Sequence, residues 1–295
     1  MVRKKYLSQT ILHFVFIIIA LASILPFLLL FTSSITDEMT LVKYGYSLFP
    51  KKISFEAYAY LMGNSFNIVR AYGITIFVTI IGTAVGLLLM ALLAYPLSRK
   101  EVPYRNQITF FIFFTMLFNG GLVPTYLVYT QLFNLKNTIM ALIIPYLLAR
   151  AFYVLLMKTF FTMSIPLSII ESAKIDGAGE WLIFCKIVLP LSYPVFATVG
   201  LFQSVHYWND WFNGMIFLTD SKLFSIQNLL NRILLDVQFL STNAIGSIQS
   251  DAISNMPTET IRMALAVIGI VPILFAYPFF QKYFVKGLTI GAVKG

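Results

Sequence analysis

Residues 165–195 read IPLSIIESAKIDGAGEWLIFCKIVLPLSYPV. Pro166 suits the first turn of a helix, where a missing N–H costs nothing. The pattern predicts a short helix from about Leu167 to Ile175, with Gly177 and Gly179 available to end it. Leu167, Ile170 and Lys174 share one face of that helix; Ile169, Ala173 and Asp176 share another. A helix this short, set across the plane of a membrane, makes a compact and rigid knob. Such a knob can carry force from a soluble motor to neighbouring helices, which a slack loop cannot do.

Outward from this loop the chain is too apolar for water. Of its 295 residues, 59% are hydrophobic and 11% charged, with a mean hydropathy of +0.83. A soluble domain carries roughly a quarter charged residues. The 28 Phe and 16 Tyr suit a bilayer and its interfaces. A crossing needs about 20 apolar helical residues. Six segments qualify: 11–32, 71–97, 107–131, 138–160, 183–208 and 262–284. The expected fold class is an all-α membrane protein with six transmembrane helices surrounded by membrane lipid. Arg3, Lys4 and Lys5 ahead of the first run, with Ala20-Leu21-Ala22 inside it, also fit a secretory leader. The run from Ile11 to Phe31 exceeds an ordinary leader core and favours an uncleaved first helix.

Charge sets the orientation. With the N-terminus inside, the inner segments hold 12 of the 21 Lys and Arg: Arg3, Lys4, Lys5, Arg99, Lys100, Arg105, Lys158, Lys174, Lys186, Lys282, Lys286 and Lys294. The outer segments are much longer and hold eight: Lys43, Lys51, Lys52, Arg70, Lys136, Lys222, Arg232 and Arg262. Both termini are therefore expected in the cytoplasm, and so is the 165–195 loop. The two long outer segments are 33–70 and 209–261. The first, with Tyr44, Tyr46, Phe49 and Pro50, is expected to pack on the membrane surface. The second holds a Ser/Asn-rich stretch, Ser241 to Asn255, and a short amphipathic helix over Ile226 to Phe239.

Several chemistries are disfavoured. Cys185 is the only cysteine, so no intrachain disulfide forms, and one Cys with two His does not build a typical zinc site. The formal charge of +9 sits between apolar runs, without a basic helix or aromatic platform for nucleic acid. No G-x-x-x-x-G-K-[ST] phosphate loop occurs, so any ATP chemistry belongs to another polypeptide. An ion-coupled transporter wants a mid-membrane carboxylate, and no Asp or Glu lies in the six cores. Glu171, Asp176 and Glu180 fit the loop better than they fit an enzyme's catalytic cluster.

Three groups of residues are candidates for a transport path. Asn119, Gly120 and Gly121, followed by Pro124, interrupt the third segment. They line a wet cavity or make a glycine contact between helices. Arg150 falls near the middle of the fourth segment, where a charge costs roughly 3 kcal/mol or more. Tyr146 and Tyr153, at i−4 and i+3, share its face. A cation beside two phenols suits a carbohydrate, an acidic one best; the other reading is a structural ion pair or a carbonyl-capping arginine. The fifth segment ends with Gln203 and Tyr207 on one face and His206 and Asp210 on another, either the outer mouth of a path or an interfacial aromatic belt.

The loop also resembles a known family. ABC-importer permeases carry a motif written EAA, three residues, Gly, nine residues, Ile, one residue, Leu-Pro. Here Glu171-Ser172-Ala173, Gly177, Ile187 and Leu189-Pro190 stand at those spacings, with Ser in place of the second-position Ala. The C-terminus, Gln281 to Gly295, resembles that of MalG-type carbohydrate permeases. Met116 to Tyr126 is similar to the LplC/YtcP-like branch, associated with oligo- and polysaccharide uptake. The resemblance implies a bacterial inner-membrane importer subunit with the MetI-like type I permease fold. It divides the chain into a first helix and outer loop (1–70), a permease core (71–284) with a docking loop (164–190), and a cytoplasmic tail (285–295). It implies a second homologous permease, an ATPase dimer carrying ATP and Mg, an extracellular solute-binding protein and a carbohydrate substrate. It places Glu171, Ser172, Ala173, Asp176 and Gly177 where the ATPase docks. Glu171 pairs there with a basic residue, or is a solvated charge favoured by the helix dipole.

Overall fold

The computed structural model describes residues 2–63, 65–147, 150–243 and 258–292. Most of these residues are helical, and among them the only β-type pairing is a single bridge between Thr36 and Ile53. Three described helices are long and apolar enough to cross a membrane: Gln9–Ser34, Phe66–Ser98 and Thr258–Phe275. The count rises to six if each of three bent pairs is one span. By packing, the chain divides into two units, Met1–Phe66 with Leu230–Pro272, and Asn67–Leu229 with Ile273–Gly295.

In the first unit, α1 (Val2–Ser34) leads into α2 (Glu38–Tyr44) and α3 (Glu56–Met62). Asp37 caps α2, accepting from Thr40 N at 3.2 Å and pairing with Lys52 at 2.8 Å. That Lys52 contact, and then Thr40, hold the Asp37 carboxyl below its ordinary range. Ser34 and Tyr58 share a 2.8 Å hydrogen bond. The segment expected as a surface loop thus carries two short helices pinned to the end of α1.

The second unit holds the candidate loop. α4 (Ser65–Ser98) is its longest helix and presents Ala91 and Ala94, both at 0% exposure, to its neighbours. Such small side chains let helix backbones approach closely. Met90, Ala91 and Ala94 pack against Val154, Met157 and Phe161 of α8 (Ala151–Ser164) and against Val195 and Val199. Between α4 and α8 the chain forms α5 (Arg105–Leu117), α6 (Leu122–Leu132) and α7 (Met140–Leu147).

Four spans differ from their sequence-based outlines. The 107–131 segment is not one straight crossing: α5 and α6 meet at 113°, and the break falls on Asn119-Gly120-Gly121. Gly121 has φ +84°, a region that favours glycine. The 138–160 segment is interrupted, because α7 ends at Leu147 and α8 starts only after Arg150, whose ψ of 59° is not helical. Residues 148–149 lie outside the description. The 183–208 segment bends by 77° between α10 (Glu180–Leu191) and α11 (Tyr193–Trp208), at a Ser192 flanked by Pro190 and Pro194. Pro194 brings no N–H to the new helix and suits its first turn. Beyond α12 (Phe212–Phe217) and α13 (Ile226–Asn243), the last helix, α14 (Thr258–Ala292), continues past the expected end of its span. Most of the Ser/Asn-rich stretch, from 244 onward, lies outside the described residues.

Candidate docking loop and transport path

α9 (Leu167–Ile175) occupies the predicted positions and turns by 77° from α8. Pro166 stands at its N-cap. Its end is a Schellman turn: Gly177 N donates to the Lys174 carbonyl at 3.0 Å and Ala178 N to the Ala173 carbonyl at 2.9 Å. That turn needs a left-handed residue, and Gly177 has φ +82°. Ile170 is buried at 2% exposure and Ala173 packs on the same core, so one face of α9 is anchored to the bundle. Glu171, Ser172, Asp176 and Gly177 are exposed. So are Ile175 at 86%, Met163 at 79%, and Leu167 and Ile169.

The loop is fastened by ties that its sequence does not announce. Glu180 accepts from Lys174 at 2.7 Å across the glycine turn and from the Tyr95 hydroxyl at 2.6 Å. These two donors, Lys174 first, hold the Glu180 carboxyl below its ordinary 4.5. Glu180 in turn raises Lys174 above its ordinary value. The Arg99 guanidinium lies 4.7 Å from the Tyr95 ring centroid. The six-residue spacing from Lys174 to Glu180 around a glycine turn is the only local hint; Tyr95 and Arg99 leave none.

The path candidates fall into distinct settings. Arg150 is half-buried at the N-terminus of α8 and lines an apolar cleft of about 280 Å³ with Leu89, Phe111, Thr115 and others. Its guanidinium lies 5.8 Å from the Tyr153 ring, which stacks on Phe202 at 6.4 Å. Arg150 itself has a non-helical ψ of 59°, and the Tyr146 side chain lies outside the described residues. His206 is half-buried. Gln203 and Tyr207 are buried, at 0% and 2% exposure, and the Tyr207 hydroxyl donates to the Ile143 carbonyl at 2.9 Å. Asp210 accepts from Asn213 N at 3.1 Å and Asn213 Nδ2 at 3.0 Å, just ahead of α12. Asn119, Gly120 and Gly121 form an exposed turn in which Asn119 Oδ1 accepts from Gly121 N at 2.9 Å.

Some positioning residues escape a reading by sequence. Asn137, at φ +56°, ties its loop to the end of α12: its Oδ1 accepts from Thr219 N at 2.6 Å and its Nδ2 donates to Thr219 Oγ1 at 2.8 Å. Thr75 Oγ1, inside α4, accepts from Ile226 N at 2.8 Å. Among the described residues, no group of three or more His, Cys, Asp or Glu side chains is placed to hold a metal ion.

Comparison with known proteins follows the same lines. The family model for the binding-protein-dependent transport system inner membrane component matches residues 102–290. Protein LplC of Bacillus subtilis (strain 168) is 40% identical, over 92% of this chain and 90% of its own length. The polygalacturonan/rhamnogalacturonan transport system permease protein YtcP of the same organism is 39% identical, over 99% of this chain and 100% of its own. The crystal structure of a bacterial ABC transporter involved in the import of the acidic polysaccharide alginate contains a chain that superposes with a TM-score of 0.78 at 27% identity, covering 96% of this chain and 98% of that one. A chain of this kind is a transport subunit, working with an ATPase and a solute-binding protein and not itself an enzyme. This protein belongs to the family of binding-protein-dependent transport system inner membrane components, the permease subunits of ATP-binding-cassette importers.

Proposed function

We propose that this chain forms half of the transmembrane path for an oligo- or polysaccharide and takes its motion from a separate ATPase through α9. The observation that carries this reading is the two-sided character of α9. Ile170 and Ala173 seat it in the bundle, while Glu171, Ser172, Asp176, Gly177 and the apolar Ile175 and Ile169 stand outside. Exposed apolar side chains beside acidic ones suit a groove on a soluble partner. Both termini and α9 face the cytoplasm, as the positive-charge count supports. A second, homologous permease closes the other half of the path, and ATP with its magnesium binds on a partner ATPase dimer.

Substrate chemistry follows from the path. Arg150 beside the Tyr153–Phe202 stack offers hydrogen-bond donors and apolar ring faces, which fit sugar hydroxyls and pyranose faces. A chain carrying carboxylates fits the arginine best. The relatives named for polygalacturonan and alginate support that preference. In each cycle the binding protein delivers sugar outside, ATP binding closes the ATPase dimer, and α9 carries the movement into the bundle.

The test is uptake of labelled oligogalacturonate into vesicles holding the whole importer. Uptake should stop when the ATPase is inactivated, and Glu171→Lys or Gly177→Asp should abolish uptake while the subunit stays in the membrane. Uptake sustained by an ion gradient alone, or normal ATPase recruitment by both variants, would sink the reading.

A further inference from the structure

Glu180 joins α10 to two places at once: Lys174, at the end of α9, and Tyr95, near the end of α4. One helical turn beyond Tyr95 lies Arg99, at 7% exposure. Its Nε and Nη2 reach no hydrogen-bond acceptor among the described residues. A guanidinium keeps its charge and carries five donors. Buried donors without acceptors mark an arrangement that a small movement would improve.

A void of about 400 Å³ lies beside it, lined in part by Tyr95, Arg99, Glu101, Lys174 and Glu180. Two carboxylates border that space. Glu101 is two residues from Arg99 and travels with it. Glu180 stands on the loop, so only its distance to Arg99 reports movement of the loop against α4. The present Lys174–Glu180 pair is weakly held, with side chains 41% and 57% exposed. Exposed pairs contribute little and exchange readily.

We propose that Arg99 is a positioning residue for coupling: when the docking loop shifts against α4, Glu180 exchanges Lys174 for Arg99, giving the loop two discrete seats. Tyr95 stays the pivot, holding the carboxylate with its hydroxyl and the guanidinium on its ring. A two-state element of this kind passes motion on in steps instead of dissipating it. The inference rests on α9 being the ATPase contact.

The test uses the complete reconstituted importer. Arg99→Gln and Glu180→Gln should each lower the ratio of substrate-stimulated to unstimulated ATPase rate by about fivefold or more. The double variant should be no worse than the poorer single, because both remove one interaction. Effects that multiply, to about 25-fold, overturn the proposal. If Arg99→Gln fails to assemble, Arg99→Cys with Glu180→Cys in a Cys185→Ser background decides the matter. Oxidative cross-linking should rise several-fold when the ATPase is trapped with nucleotide, and equal yields with and without nucleotide overturn it. Failure of the docking assignment looks different: ATPase recruitment by Gly177→Asp would then be normal, whatever the cross-link shows.

Discussion

The ring of Tyr207 fills the place where a side chain on Gly82 would stand. A Cβ there would fall 2.6 Å from Tyr207 Cε2. The ring cannot swing aside freely, because its hydroxyl is bonded to the Ile143 carbonyl. One side chain therefore registers α4, α7 and α11 against one another.

Gly82→Ala should destabilise the subunit by about 1–3 kcal/mol, as overpacking does. Tyr207→Phe keeps the shape and loses one hydrogen bond, for about 1 kcal/mol. Thermal unfolding of the purified complex should rank the two in that order. A Gly82→Ala protein as stable as the parent would show that the contact is loose.

Glu38 should matter for the last helix despite its distance in sequence. Its carboxylate accepts from Glu259 N and Thr260 N, each at 2.9 Å, and from Thr260 Oγ1 at 2.8 Å. These are the orphan donors of the α14 N-terminus, where a negative charge is also favoured by the helix dipole. Glu38→Ala should cost about 1–2 kcal/mol, and Glu38→Gln less. Hydrogen exchange of the first turn of α14 should accelerate in the same order, and unchanged exchange would count against the cap.

Arg150→Ala should impair uptake at least about tenfold, an effect near 1.4 kcal/mol, with assembly retained. Arg150→Lys should recover part of it, since a point charge lacks the planar fork that grips a carboxylate. Loss of uptake of a neutral oligosaccharide in equal measure would reduce Arg150 to a support for the helix break.

The Lys174–Glu180 tie has a definite pH window. Glu180 is lowered, so its contribution is complete above pH 4.5 and fades as pH falls through the lowered value. Lys174 is raised, so its contribution is complete below pH 10.5 and fades as pH rises through the raised value. Each partner is largely exposed, so the pair contributes roughly 0.2–1 kcal/mol. Trp181 emission, read in a Trp208→Phe, Trp211→Phe background, should stay flat from about pH 5 to 10. A transition near neutrality would mean that another group governs the loop.

Where local chemistry decides the backbone, the sequence is legible. Pro166 and Gly177 mark both ends of α9, and Asn119-Gly120-Gly121 marks the break between α5 and α6. The interruption at Arg150 carries no such mark: no glycine is near, and Pro145 lies inside α7. The π-helical turns at Val128–Leu132 and Phe184–Val188 are equally silent, because the shift of about 100° that one extra residue imposes shows only against a polar face, and these spans are apolar on most faces. Period and hydropathy report which face is apolar, not which neighbour covers it. Hence Glu38 with Thr260, Tyr95 with Glu180, and Thr75 with Ile226 become visible only once the chain is folded.

The apolar window of α1, within Gln9–Ser34, buries none of its residues against the other described residues, whereas Ala91 and Ala94 are wholly enclosed. Mutational tolerance should be split accordingly. Leu, Ile, Val and Phe should exchange more freely along that stretch of α1, where no described neighbour sets the shape of the side chain. One added methylene at Ala91 has nowhere to go. Over many generations α1 should drift quickly within an oily alphabet while the alanine seam stands nearly still.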